Sequence, residues 1–205
     1  MDTPNVEALM FRRRLSIFLV VLLAACTGTV TPAPTPSAGQ MDLEEQAVYA
    51  ALLQNFYGSA NLVIMDTTAT SPGGVGDTAA TLKKMLQDMR GLEQKTADSF
   101  RARNATESPF RADMNLGSPY TVLSQAQMNL FFSQNQDGWQ AFYAQYPSAA
   151  GITTLSRVGF NNSLSQALVY VGTMSHYLAG AGYFVLLKKV NGTWMVDQKV
   201  MTWIS

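Results

Sequence analysis

In the first half of the chain, apolar residues recur every three or four positions, which is the spacing of one face of an α-helix. Three runs follow this pattern, over residues 49–56, 82–89 and 139–146. Asp42 with Glu45 three positions later is a capping-box pattern that predicts the start of the first helix, and Gly58 predicts its end. The first half is therefore predicted to be mostly helical.

Further helices and two short strands complete this half. A helix is predicted over residues 96–103, and Ser124 with Gln127 is a second capping box that opens another helix. The apolar runs at 62–65 and 120–123 are too short for helices and predict strands.

From Gly151 onward the apolar period changes to two, which is the period of a β-strand. Four strands are predicted, over residues 152–160, 164–174, 182–190 and 193–204. Residues 161–163 join the first two strands. Asn191-Gly192 joins the last two and is the strongest short hairpin signal, because both turn residues take positive φ. The chain is thus predicted to be an α+β protein, with the helical half covering one face of a four-stranded antiparallel meander.

The N-terminus has the parts of a bacterial lipoprotein signal. Three arginines at 12–14 precede an uncharged apolar run at 15–23, which is shorter than the roughly 20 residues of a membrane span. The run ends in Leu23-Ala24-Ala25-Cys26, which matches the lipobox, whose small residues fit the peptidase and whose thiol accepts the diacylglycerol. Residues 1–25 are therefore predicted to be a signal peptide, and Cys26 the lipidated first residue of an exported protein.

Thr27 stands where many inner-membrane lipoproteins carry an aspartate retention signal. We therefore expect the outer membrane as the destination in a two-membrane host, and the outer face of the plasma membrane otherwise. Met10 begins a more natural signal peptide than Met1, because two acidic residues precede Met10. Which of the two methionines initiates translation stays open.

Residues 27–40 are rich in threonine, proline and alanine and carry no charge. Such a segment cannot bury a core, and its prolines keep it extended. Residues 26–40 are therefore predicted to be a lipidated tether, and residues 41–205 to form one domain.

Charge and cysteine content exclude several classes of function. The chain has 14 basic and 14 acidic residues, and loss of residues 1–25 leaves a formal charge of −1. A near-neutral domain without a basic run offers no electrostatic case for binding nucleic acid. Because Cys26 is the only cysteine, its lipidation leaves no thiol for a disulfide, a nucleophile or a metal site. One histidine and scattered carboxylates show no metal-ligand spacing, so we predict no metal and no cofactor.

Five segments near the C-terminus carry a resemblance to a known family. They are Leu155-Ser-Arg-Val-Gly-Phe160-Asn161, Gln166-Ala-Leu-Val-Tyr-Val171, Gly180-Ala-Gly-Tyr-Phe-Val-Leu-Leu-Lys188, Asn191-Gly-Thr-Trp194 and Trp203-Ile-Ser205. Through them the chain resembles a family of small exported bacterial proteins of unknown function, closely in the last third and loosely in the helical half. The resemblance implies export and the extent of the domain, but no chemistry. Members of that family can carry a cysteine pair where this chain has Ser175 and Ala179, so that disulfide is absent here.

His176 is the only histidine and the first candidate for a general base. With Ser156 as nucleophile and Asp66 or Asp197 as the third member, it would complete a hydrolase triad. However, no serine lies in a nucleophile-elbow pattern, and Ser175 is adjacent to the histidine in the chain rather than opposed to it. A solvent-exposed histidine in a loop between strands is the favoured interpretation.

Asp66 and Arg157 are candidate binding residues. Asp66 ends an apolar strand, where cleft residues of α+β domains often lie, although capping of a turn is the favoured interpretation. Arg157 lies inside a predicted strand. If it faces the helices it must pair with a carboxylate or a bound anion, because an isolated buried charge is very costly; on the other face it is simply solvated. The loop at 71–77 lacks the lysine of a phosphate-binding loop and is interpreted as a flexible turn.

The aromatic residues fall in two rows, which are Trp139, Phe142, Tyr143 and Tyr146, and Trp194 and Trp203. They would suit a pocket for sugars or lipids, but their helix and strand periodicity favours the core. We therefore predict a membrane-anchored, non-enzymatic module that binds a small ligand or associates with the cell envelope. The alternatives are a small periplasmic hydrolase that uses His176, and an accessory protein that docks on an envelope protein through an open sheet face or edge.

Overall fold

The computed structural model of this protein describes residues 36–70, 80, 83–84, 87–133 and 137–205. The signal peptide, Cys26 and the loop at 71–77 lie outside these residues, as does part of the helix predicted over 82–89. The described residues belong to a compact unit, Ala33–Ser205, so a chain that begins at Thr27 contains this unit whole. Within the described part, no helix is long and apolar enough to cross a membrane.

The described helices are α1 (Ala38–Tyr57), α2 (Gln94–Arg103), α3 (Gln125–Phe132) and α4 (Gly138–Gln145). The predicted N-cap of α1 at Asp42 is wrong by five residues, because Ser37 is the N-cap and its side chain accepts a hydrogen bond from the Gln40 amide. The first helix therefore begins inside the segment predicted to be a tether. The capping box of Ser124 and Gln127 is confirmed, and so is the stop at Gly58.

The strands are β1 (Asn61–Met65), β2 (Tyr120–Leu123), β3 (Ala149–Leu155), β4 (Gly159–Phe160), β5 (Gln166–His176), β6 (Ala179–Val190) and β7 (Thr193–Ile204). They form one seven-stranded sheet in the order β2-β1-β3-β5-β6-β7, with β4 paired to β5. The α+β class is confirmed, and the meander of the last strands is present, but the predicted four strands understate the sheet.

The two extra strands, β1 and β2, join the sheet in parallel. β1 pairs with β2 on one side and with β3 on the other, and both pairings are parallel. Parallel neighbours need long crossover connections, which here contain α2 between β1 and β2, and α3 with α4 between β2 and β3. A short apolar run does not reveal its partner, so the sequence predicted these two strands without placing them.

The predicted strand over 152–160 is interrupted. It divides into β3 and β4, and Ser156, Arg157 and Val158 between them belong to neither strand. The following turn is held by Asn161, whose side-chain oxygen accepts hydrogen bonds from the backbone amides of Ser165 and Gln166 at 2.9 and 3.1 Å. The side chain of Arg157 therefore does not follow the alternation between the two faces that a strand imposes.

Helices cover both faces of the sheet, so the prediction that they cover one face is wrong. On the first face, α1 packs its buried side chains, among them Leu52, against a core that includes Val169 and Val185. On the second face, α2 packs Phe100 against Phe184 in one cluster. Alternation along β5 separates the two faces, because each successive side chain points to the opposite side.

A second cluster lies on that same second face and is separate from the first. It is built by α3 and α4, whose Phe131 and Phe142 pack against Val63 of β1 and Ile152 of β3. The helical aromatic row that ends before Pro147 is thus largely core, as predicted. The candidate site lies on the second face of the sheet, between these two clusters.

The terminal hairpin has the predicted turn. Asn191 has φ of 49° and Gly192 has φ of 81°, so both turn residues have positive φ. Thr193 and Val190 pair directly across it, which fixes the register of β6 and β7.

Candidate functional site

Three positions on the second face of the sheet carry no side chain, because they are glycines. They are Gly172 on β5 and Gly180 and Gly182 on β6. A Cβ at Gly172 would lie 2.5 Å from the hydroxyl oxygen of Tyr170, and a Cβ at Gly182 would collide with the indole of Trp203. Glycine in a strand interior often marks such a close approach. The side chains of Tyr170 and Trp203 therefore lie directly against bare backbone.

Trp203 of β7 reaches across β6 to Tyr170 of β5. Its indole nitrogen donates a hydrogen bond to the Tyr170 hydroxyl at 2.8 Å. A Cβ at Gly182 would meet three atoms of the five-membered ring, and one at Gly180 would meet the six-membered ring. The indole thus rests with one face on β6. This contact forms the floor of a depression rather than a filled core.

The wall of the depression comes from the α3–α4 pair and from the β5–β6 turn. Asp137 caps α4 by accepting a hydrogen bond from the Trp139 amide at 3.0 Å. The Gly138 amide donates to the hydroxyl of Tyr177 at 3.1 Å, which fastens the turn to the helix. Phe132 packs edge-on against Trp139, with ring centroids 5.1 Å apart.

The resulting cavity has a volume of about 380 Å³. It is lined by Ala69, Met128, Phe132, Trp139, Ile152, Thr154, Tyr170, Gly172, Met174, Tyr177 and Trp203. Five of these described lining residues are aromatic, two are methionines and none is charged. Such a cavity offers apolar contact and a few hydroxyl groups, and its described lining includes no acid, base or cation for catalysis.

Thr154 supplies a hydroxyl group within this apolar lining. It lies on β3 directly opposite Gly172, so no side chain faces it across the strand pair. Within the part of the chain that the structure describes, its hydroxyl forms no hydrogen bond. Thr154 is therefore available to a polar group of a ligand.

His176 does not meet Ser156 in this structure. Ser156 lies opposite Tyr170, since its amide donates to the Tyr170 carbonyl, and His176 is six residues further along β5. At about 3.3 Å per residue this separates them by roughly 20 Å. The His176 ring is exposed and stacks on Trp139 with centroids 6.3 Å apart.

Ser156 has a structural role. It is fully buried, and its hydroxyl accepts a hydrogen bond from the Tyr170 amide at 2.8 Å and donates to the Arg157 carbonyl at 3.0 Å. A hydroxyl committed to two backbone groups inside the core is not a free nucleophile. The triad of Ser156 and His176 with an aspartate is not assembled.

The other candidate carboxylates are also apart from the cavity. Asp197 binds Lys188 at 2.9 Å, and the hydrogen bond from that lysine lowers the pKa of Asp197. The backbone amide of Asp66 donates to Leu123 and its carbonyl accepts from Phe110. One Asp66 carboxylate oxygen is buried and, among the described residues, has no hydrogen-bond partner. Neither aspartate lines the cavity as described.

Arg157 faces the helices and is paired with Glu45 of α1. Its guanidinium is 2.9 Å from the Glu45 carboxylate, which also binds Arg103 of α2 at 3.1 Å. Glu45 further accepts a hydrogen bond from the Val158 amide at 2.8 Å and lies 3.3 Å from the hydroxyl of Tyr49. Burial lowers the pKa of Arg157, but the hydrogen bonds and the charge of Glu45 outweigh it and raise that pKa.

This ion-pair group fixes α1 to the break between β3 and β4. Glu45 is 4% exposed, so its negative charge is held inside the protein by two arginines. Of the two alternatives for Arg157, pairing with a carboxylate is the correct one. Sequence reasoning missed Glu45 as the partner, because it placed that residue in a capping box.

Sequence reasoning also missed most of the cavity. Of its aromatic rows, Trp139 and Trp203 line the cavity, whereas Phe142 and Trp194 are buried in the core. Two glycines spaced by two, Gly180 and Gly182, were the available signal that a ring lies against this strand.

Among the described residues, no group of three or more histidine, cysteine, aspartate or glutamate side chains is placed to hold a metal ion. Comparisons of the chain with protein-family models, with curated proteins and with solved structures found no match.

Proposed function

We propose that this chain is an exported, lipid-anchored binding protein, without enzymatic activity, whose cavity takes up a small apolar molecule. The lipobox ending at Cys26 supports the anchor and the destination in the cell envelope. The cavity between the two clusters on the second face of the sheet supports binding of a ligand.

The observation that carries the binding proposal is the shape and lining of this cavity. Its volume of about 380 Å³ falls within the range of roughly 300–1,000 Å³ of small-molecule sites. Phe132, Tyr177 and Trp203 remain partly or largely exposed around it. Apolar side chains that converge on one concave surface are stabilised when a ligand removes them from water.

The alternative of a hydrolase has less support. It requires His176 close to a serine hydroxyl and a carboxylate, and Ser156 lies roughly 20 Å away by the strand spacing. The lining of the cavity, moreover, includes no charged residue among those described. No observation favours this second function over binding.

The test uses the chain from Thr27 to Ser205, which contains the whole compact unit. An uncharged dye that fluoresces in apolar surroundings, N-phenyl-1-naphthylamine, is titrated into the wild type and into Thr154→Phe. The new ring at position 154 has no side chain opposite it at Gly172, so it fills the cavity.

Thr193→Phe is the matched control, because it makes the same change at an exposed strand position outside the cavity. We expect saturable fluorescence in the wild type and the control, and at least a tenfold loss of affinity in Thr154→Phe. Equal dye affinity in all three folded proteins, or no saturable binding to the wild type, would contradict the proposal.

A further inference from the structure

We propose that the ligand is a flat, uncharged aromatic molecule with one hydroxyl or carbonyl group, an inference that rests on the proposed binding function. Three features of the described lining support this class of ligand: the ring surfaces that it presents, the absence of charged side chains among the described residues, and the position of Thr154.

A flat ring fits the floor of the cavity. Because Gly180 and Gly182 lie against one face of the Trp203 indole, the surface that this residue presents to the cavity is the opposite face. An aromatic ligand gains offset or edge-to-face contact with such a ring beyond the area it buries. A saturated ligand of the same size gains the buried area alone.

The remaining lining adds to this preference. Met128 on α3 and Met174 on β5 border the cavity, and thioether sulfur makes favourable contacts with aromatic rings. Phe132 and Tyr170 provide two further rings. Each contact of this kind distinguishes an aromatic ligand from an aliphatic one, so several of them together favour the aromatic class.

The lining favours an uncharged ligand. None of the described residues that border the cavity is an aspartate, glutamate, lysine or arginine. Asp137, the N-cap of α4, is exposed to solvent and is not among the described lining residues. A ligand charge would therefore leave water for an apolar site without an opposite charge, which is strongly unfavourable.

Thr154 favours a ligand that carries a polar group. Its hydroxyl borders the cavity and has no hydrogen-bond partner among the described residues. A hydroxyl or carbonyl on the ligand would form a hydrogen bond with the Thr154 hydroxyl. A ligand without such a group would remove this hydroxyl from water and leave it without a hydrogen-bond partner. The threonine therefore selects for a single polar substituent on one edge of the ring.

The experiment compares five probes that share one carbon skeleton. They are 2-naphthol, naphthalene, decahydro-2-naphthol, 2-naphthoate and trimethyl(2-naphthyl)ammonium. Isothermal titration calorimetry measures each with the Thr27–Ser205 chain, with Thr154→Val, which keeps the shape and removes the hydroxyl, and with Thr193→Val as the exposed control.

We expect 2-naphthol to bind about tenfold more tightly than its saturated counterpart, which corresponds to about 1.4 kcal/mol. Both charged probes should bind at least tenfold more weakly than 2-naphthol. Naphthalene should bind several-fold more weakly than 2-naphthol to the wild type and to Thr193→Val, and this difference should vanish in Thr154→Val.

The outcomes separate this inference from the proposed function. If decahydro-2-naphthol or a charged probe binds as well as 2-naphthol, or if Thr154→Val still prefers 2-naphthol over naphthalene, the ligand class is wrong while binding stands. If no probe binds and N-phenyl-1-naphthylamine does, the ligand class again falls alone. If neither the probes nor the dye bind, both the ligand class and the proposed binding function are wrong.

Discussion

Replacement of Glu45 by glutamine tests the ion-pair group that joins α1 to the sheet. The carboxylate of Glu45 accepts hydrogen bonds from Arg157, from Arg103 and from the Val158 amide. Glutamine has nearly the same shape but carries one NH2 group where glutamate has an acceptor oxygen. Whichever way this amide turns, its NH2 group faces donors, and two buried or half-buried arginines lose the charge that balances them.

The size of the effect follows from these contacts. Removal of one partner from a buried ion pair costs about 3–5 kcal/mol, because an uncompensated charge is left inside the protein. Asp42 lies 3.6 Å from Arg157 and is 41% exposed, so it compensates only in part. For a domain of this size, 1 kcal/mol shifts the melting temperature by about 2–4 °C. The expected decrease is therefore about 6–20 °C.

The assay is urea and thermal unfolding of the Thr27–Ser205 chain, followed by tryptophan fluorescence and circular dichroism. Glu107→Gln is the matched control, because Glu107 is exposed and its replacement should change stability by less than about 0.5 kcal/mol. If Glu45→Gln unfolds at the same urea concentration as Glu107→Gln, Glu45 does not hold the two arginines as described.

Three further predictions follow from other parts of the chain. Gly192→Val should destabilise the protein by about 1–3 kcal/mol in urea unfolding, because Gly192 has φ of 81°, and Gly192→Asn should recover most of the loss; equal stability of the valine variant and the wild type would contradict the turn. Burial, and then the charge of Glu45, hold the pKa of Tyr49 well above its usual value, so the folded protein keeps a proton that the unfolded chain releases near pH 10. Stability should therefore fall as the pH rises above about 10, more steeply in the wild type than in Tyr49→Phe, and parallel pH profiles of the two proteins would exclude this cause. Cys26→Ala should abolish labelling of the chain by palmitate in the native host, whereas persistent labelling would refute lipidation at Cys26.

Local signals in the sequence predicted much of the fold. The capping box at Ser124 and the Asn191-Gly192 turn are short-range patterns whose geometry depends on a few adjacent residues, and both are present. The helix that contains Trp139 was likewise predicted from the spacing of its aromatic residues. Such features need no knowledge of distant residues, which is why one sequence suffices for them.

Features that depend on distant residues were not predictable in this way. The pair of Arg157 with Glu45 joins residues 112 positions apart, and the break that frees Arg157 from its strand has no marked turn residue. The parallel partners of β1 are likewise set by the crossover helices. Local preference does not specify which of several apolar segments becomes the neighbour.

The cavity combines both kinds of information. Gly180 and Gly182 indicate that another group lies close to β6. That group is the Trp203 ring of β7, and the walls of the cavity come from α3 and α4. Its existence depends on two core clusters that do not meet on the second face. A gap between clusters has no periodic signature, so only the three-dimensional arrangement reveals it.

The most direct test of ligand binding in this cavity is the detection of nuclear Overhauser effects between bound 2-naphthol and the protein by NMR. With the Thr27–Ser205 chain, the ring protons of the probe should contact the methyl groups of Met128 and Met174 and the indole of Trp203. Contacts to Phe56 and Tyr183 on the opposite face of the sheet, or no contacts at a saturating concentration of the probe, would contradict binding in this cavity.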